Sequence, residues 1–160
     1  MSEPLKAQVI APSTSLRERV GGGMGGLDPN MLAKAEAALK SLSGQFGQWL
    51  DDEIVKLEGA RAEVQAKGQT AETMERLYMR AHDLKGLGGT YEFPIITRIA
   101  GSLCKLMDDE AKRVTSPMYL VDAHINAIKA AVRDNIRDDS NAVGRALAEA
   151  LEQQVRAYYS

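Results

Sequence analysis

The chain has 160 residues, a formal net charge of −2 and 26% charged residues, which fits one ordinary globular domain with some residues to spare. There is no basic excess to attract nucleic acid and no apolar run near the roughly 18 residues needed to span a bilayer. The N-terminus, MSEPLKAQVIAPSTSLRERV, lacks an apolar core followed by a small-residue cleavage site. A single cysteine, Cys104, cannot form an internal disulfide and suits a reducing compartment. The cytoplasm is therefore the expected location.

Residues 1–27 hold two prolines, several Ser and Thr, and the run Gly21-Gly22-Gly23-Met24-Gly25-Gly26. Ordering such a stretch costs much backbone entropy and packs nothing. A phosphate-cradling loop would need a preceding strand and a GK[ST] or GxGxxG pattern, and neither is present. Residues 1–27 are thus expected to be a flexible tail, with a helical domain over residues 28–160.

Asp28-Pro29 suits a helix start, Asp as N-cap and Pro in the first turn. A short Ala-rich helix is expected over about 29–42. A longer one follows over about 46–66, with Phe46, Trp49, Leu50, Ile54, Leu57 and Val64 at helical spacing. Lys67-Gly68-Gln69 reads as a stop, and Thr70 with Thr73 offers caps for the next helix, expected from Ala71 to about Tyr91. The fourth starts at Pro94 and carries Ile95, Ile96, Ile99, Leu103, Leu106 and Met107. A fifth starts near Ser116-Pro117 and runs to about Ile136, and a last covers about 142–158. With no alternating apolar–polar run, no strand is expected. The fold class is all-α: an antiparallel four-helix bundle, core about 45–137, with additional N- and C-terminal helices about 29–42 and 142–158.

The chemistry concentrates in Ala81-His82-Asp83-Leu84-Lys85-Gly86-Leu87-Gly88-Gly89. On a helix turning about 100° per residue, Leu77, Leu84, Gly88 and Tyr91 share one side. Tyr78, His82, Lys85, Gly86 and Gly89 share the other, so His82 is expected to face solvent in the middle of a helix. Glycines there need a reason, since each costs about 1 kcal/mol relative to Ala. Gly86 and Gly89 would clear the surface around the imidazole, and Gly88, on the core side, would permit close helix packing. Lys85 is a helix-surface neighbour of His82, where an ammonium can attract the oxygens of a phosphoryl group.

These residues resemble the histidine-phosphotransfer (HPt) family, marked by His, two residues, Lys-Gly, then small residues: here His82-Asp83-Leu84-Lys85-Gly86, with Gly88 and Gly89 after it. The similarity extends over Met74 to about Asp109. Leu87 stands where the family usually has Ser or Ala, and Glu92 where it usually has Gly. The resemblance implies a four-helix bundle with His82 as phosphoacceptor and Lys85 as stabiliser of the phosphoryl group. It places Tyr78, Met79, Gly86 and Gly89 on a docking face. The implied partners are a response-regulator receiver domain, which brings the acceptor aspartate and Mg²⁺, and a hybrid sensor histidine kinase. The expected function is a phosphorelay carrier, monomeric, with no cofactor, metal or ATP site of its own and no nucleic-acid or membrane partner.

The chemistry suits so few groups. Imidazole has an ordinary pKa of about 6.5 and is nucleophilic near neutrality, and phosphoryl transfer needs mainly positioning and charge stabilisation. No P-loop and no kinase Gly-rich loop with HRD or DFG appears in the sequence. A competing reading is a helical adaptor that binds a receiver or kinase without accepting phosphate; a small hydrolase would need an acid–base or metal constellation that is missing. His124 lacks a following Lys-Gly and reads as a surface or hydrogen-bonded helical histidine. Cys104 reads as a small core residue, the stripe around Trp49 as core, and Asp51-Asp52-Glu53 and Asp108-Asp109-Glu110 as solvated helix faces.

Overall fold

A computed structural model describes residues 28–160; the expected tail, residues 1–27, lies outside them. Among the described residues there are six helices and no strand: α1 Pro29–Lys67, α2 Ala71–Leu87, α3 Pro94–Leu106, α4 Glu110–Arg113, α5 Met118–Arg133 and α6 Ala142–Tyr158. No helix among them is long and apolar enough to cross a membrane.

The start signals act much as the sequence suggests. Asp28 Oδ1 accepts from the Asn30 amide at 3.0 Å, with Pro29 in the first turn. Gly68 ends α1 at φ 93°, a left-handed conformation costly for any residue with a Cβ. Thr70 and Thr73 then form a reciprocal capping box for α2. Asn141, not anticipated as a cap from the sequence, caps α6 by accepting from the amides of Val143 and Gly144.

Four expectations are corrected. The break between residues 42 and 46 is absent, and α1 is one 39-residue helix. Gly44 and Gly47 face open space, and the loss of about 1 kcal/mol at each is too small to stop a long helix. The chain nevertheless divides into two compact units at Leu42/Ser43. In the first, the helix leaves Met31, Leu32, Leu39 and Leu42 exposed. Second, α2 ends at Leu87 rather than near Tyr91, because Gly88–Glu92 turn back toward α3. Third, Asp108-Asp109-Glu110 is no helix face. It lies at the α3–α4 break, where Asp109 caps α4 by accepting from the Ala111 amide. Fourth, Trp49 is 39% exposed because it sits one residue off the stripe that enters the core.

In the second unit, Ser43–Ser160, that stripe is Leu50, Ile54, Leu57, Ala60 and Val64. It joins Met74, Leu77, Ala81 and Leu84 of α2 and the apolar faces of α3, α5 and α6 in one cluster. Burying a Leu or Ile side chain fully is worth about 1.5–3 kcal/mol, so this cluster sets the fold. α3 is the central element, packed against α2, α5 and α6. Two bidentate ion pairs link helices at the rim: Arg61 with Asp122 (α1 to α5) and Arg98 with Glu152 (α3 to α6).

His124 is fully buried in α5. Its Nδ1 lies 2.7 Å from the Leu120 carbonyl oxygen and its Nε2 2.9 Å from Ser102 Oγ. A carbonyl can only accept, so Nδ1 carries the proton and Nε2 accepts from the Ser102 hydroxyl. Burial pushes its pKa below the ordinary value, partly offset by the Leu120 bond. Of the two readings made for it, surface and hydrogen-bonded, the second describes it.

Candidate functional site around His82

α2 splits its residues as helical periodicity requires. Leu77, Ala81 and Leu84 are fully buried, while His82, Lys85, Gly86 and Gly89 are exposed on the other side. The three glycines differ sharply in what a side chain would meet. Nothing lies within 4 Å of a Cβ built on Gly86, and a Cβ on Gly89 would only touch Thr97 Oγ1 at 4.0 Å. A Cβ on buried Gly88 would fall 2.6 Å from both the Thr97 amide nitrogen and Thr97 Oγ1. Gly88 is thus where α2 meets the start of α3, and Gly86 leaves the surface beside His82 bare. Thr97 Oγ1 further accepts from the Gly89 amide at 3.0 Å, fixing the turn.

His82 borders a shallow recess of about 400 Å³ with Glu53 and Lys56 of α1 and Arg80, Asp83, Gly86 and Leu87 of α2. Lys56 pairs with Glu53 at 3.0 Å and Arg80 with Asp83 at 3.7 Å. Lys56 and Arg80 are cations that the sequence reading did not bring to His82. No local signal could have supplied Lys56, which lies 26 positions away and arrives only through the packing of α1.

Tyr78 flanks the imidazole with ring centroids 6.3 Å apart. It is half-buried and heavily engaged. Its hydroxyl donates to Asp108 at 2.8 Å, and the Arg113 guanidinium lies 4.1 Å from its ring centroid. The Asp108 bond, then burial, raises its pKa. Tyr78 therefore acts as a braced wall beside His82. Met79 is 48% exposed.

Lys85 is placed differently from its neighbours. Its stem runs over Gly101 of α3, with Cδ 3.6 Å from where a Cβ there would stand. It borders a second cleft, between α2, α3 and α6, and not the recess of His82. Cys104 lines that cleft but is almost wholly buried, and burial pushes its thiol up to about 11. A thiol with so little thiolate near neutrality is a poor nucleophile.

Next to the His82 recess, and sharing Glu53 and Lys56 with it, is an aromatic group that the sequence reading assigned to the core. Phe46, Trp49 and Tyr91 stand with ring centroids 5.7–5.8 Å apart. The turn below it is held at Glu92, which has φ 71°. That is the left-handed region glycine favours. The Glu92 carboxylate compensates by accepting from Ser43 Oγ at 2.8 Å and from Arg137 at 3.3 Å.

Among the described residues, no group of three or more His, Cys, Asp or Glu side chains converges as a metal site. No protein-family model, curated protein or solved structure matches this chain.

Proposed function

We propose that the protein is a phosphorelay carrier of the HPt type, in which His82 accepts a phosphoryl group from a receiver-domain aspartate and returns it to another. The observation that carries the reading is an exposed imidazole at mid-helix. One wall is braced by Tyr78 and the next surface position is emptied by Gly86. An incoming aspartyl phosphate needs in-line access to the ring nitrogen, and a bare surface one turn away grants it. Cations close by offset the charge that spreads over the transferring oxygens. Lys85, Lys56 and Arg80 are the candidates. Mg²⁺ belongs to the receiver.

In this reading Ser43–Lys67 of α1 with α2, α3 and α5 forms the four-helix bundle, and α6 is an addition packed on α3. Met79, Gly86 and Gly89 give the docking face its centre. The cluster of Phe46, Trp49 and Tyr91 extends it with exposed aromatic area of the kind that anchors protein interfaces. The carrier works as a cytoplasmic monomer, fed by a hybrid kinase and without its own ATP site.

The test is transfer of radiolabel from a phosphorylated receiver domain. Wild type should acquire acid-labile, alkali-stable label and folded His82→Gln should acquire none. Label persisting on His82→Gln would overturn the assignment, and label acquired from ATP alone would reveal a kinase activity. Tight receiver binding without any label on wild type would favour the adaptor reading.

A further inference from the structure

The cleft between α2, α3 and α6, about 360 Å³ in volume, gathers an excess of positive charge. Four cations border it: Lys85, Arg98, Lys105 and Arg156. Two carboxylates do as well, Asp108 and Glu152. Arg98 and Glu152 neutralise each other in a bidentate pair at 2.8 Å for both bonds. Lys85, Lys105 and Arg156 enter none of the ion pairs among the described residues. Three free cations against Asp108 leave the lining at +2 (four cations less two carboxylates), in a chain whose net charge is −2.

That imbalance is held on a firm frame. Lys85 is laid across Gly101, which has no side chain to displace it. The Arg98–Glu152 pair ties the two walls together, and Lys105 and Arg156 both bear on Glu152, whose carboxyl is held low first by Arg98. Behind the charges stand buried Cys104, Ser102 and Val155, a wall that keeps water out and so concentrates the field in the opening. Like-charged side chains gathered around a concave space repel one another until an anion enters. The cleft is also far roomier than a lone carboxylate needs.

We infer that this cleft is a binding site for a phosphate-type dianion, held by Lys85, Lys105 and Arg156. A charge of −2 neutralises the lining. Arg156 offers a planar fork and the two lysines point charges, the usual pairing for phosphate oxygens. The inference stands apart from the reading of His82, although Lys85 would serve both sites: an occupied cleft would draw its ammonium away from a phosphoryl group on His82.

The test is calorimetric titration of the full chain with inorganic phosphate, at constant ionic strength above neutral pH, with chloride as control. Amide NMR shifts at Gly101 and Ser102 locate the site. Saturable binding is expected, weakened about tenfold by Lys105→Gln and again by Arg156→Gln, the size of one charge-assisted hydrogen bond. Both residues are exposed, so neither change threatens folding. A parallel arm uses vesicles bearing phosphatidate. Vesicle binding that phosphate competes away assigns the dianion to a lipid headgroup, and phosphate binding without vesicle binding assigns a free ligand. Absence of saturable binding at millimolar phosphate, or unchanged affinity in both variants, overturns the proposal.

Discussion

Replacing either of two glycines, Gly86 or Gly88, by alanine should have opposite effects on stability although they stand two residues apart. At Gly86 a methyl group enters open space, and the helix gains up to about 1 kcal/mol from the better helix former. At Gly88 the backbone is already helical, φ −54° and ψ −49°, so no conformational strain enters. The new carbon instead lies 2.6 Å from the Thr97 amide nitrogen and 3.0 Å from the Phe93 carbonyl oxygen. Those are backbone atoms at the start of α3, and they cannot rotate away. α3 must move as a body, yet Ile95, Ile96 and Ile99 seat it in the core. Overpacking of this kind costs about 1–3 kcal/mol, which exceeds any gain in propensity. Thermal and urea unfolding followed by circular dichroism should show Gly86→Ala unchanged or slightly stabilised and Gly88→Ala lowered by several degrees. Equal melting temperatures for the two variants would mean that α2 and α3 do not meet at Gly88.

Gly86→Gln should keep that stability while slowing label transfer from a receiver strongly, because its side chain stands one turn from His82; a normal transfer rate would remove this surface from the docking face. Trp49→Ala should weaken receiver binding, read by titration, with little effect on folding, since the ring is 39% exposed. Acidification should destabilise the protein through His124. Its folded pKa lies below the ordinary 6.5, so the unfolded chain binds more protons in acid. This contribution is constant above about pH 6.5 and declines as pH falls from there through the lowered folded value. Urea titrations across that range should show the decline, reduced in His124→Gln. That variant should itself be less stable by about 1–3 kcal/mol, because the Ser102 and Leu120 partners lose their bonds. Glu92→Gly should change stability little, since relief of about 1 kcal/mol of left-handed strain is offset by loss of the Ser43 and Arg137 contacts.

Local chemistry made much of this chain legible in its sequence. Thr70 with Thr73, Gly68 and the proline at Pro94 mark helix ends through the chemistry of a few neighbouring residues, which acts wherever the helix later packs. The outward placement of His82 likewise needs only a period of 3.6 and the apolar residues Leu77, Leu84 and Ala81 on the opposite side. Tertiary structure decided what depends on distant partners. Sequence offers three glycines in a row of four positions but does not tell which is an opening and which a contact; Thr97 makes that distinction. Trp49 reads as core until the position of Leu50 fixes the buried stripe one residue away. Lys85 is a helix neighbour of His82 by sequence alone, but only the packing shows its stem lying over Gly101 of α3 and Lys56 reaching the His82 recess from α1. The N-terminal helix reads as separate, but Gly44 and Gly47 each cost only about 1 kcal/mol, too little to break a helix whose flanking turns are intact. Periodicity fixes which way a side chain leaves its own helix; only the packing of other helices decides what it meets there.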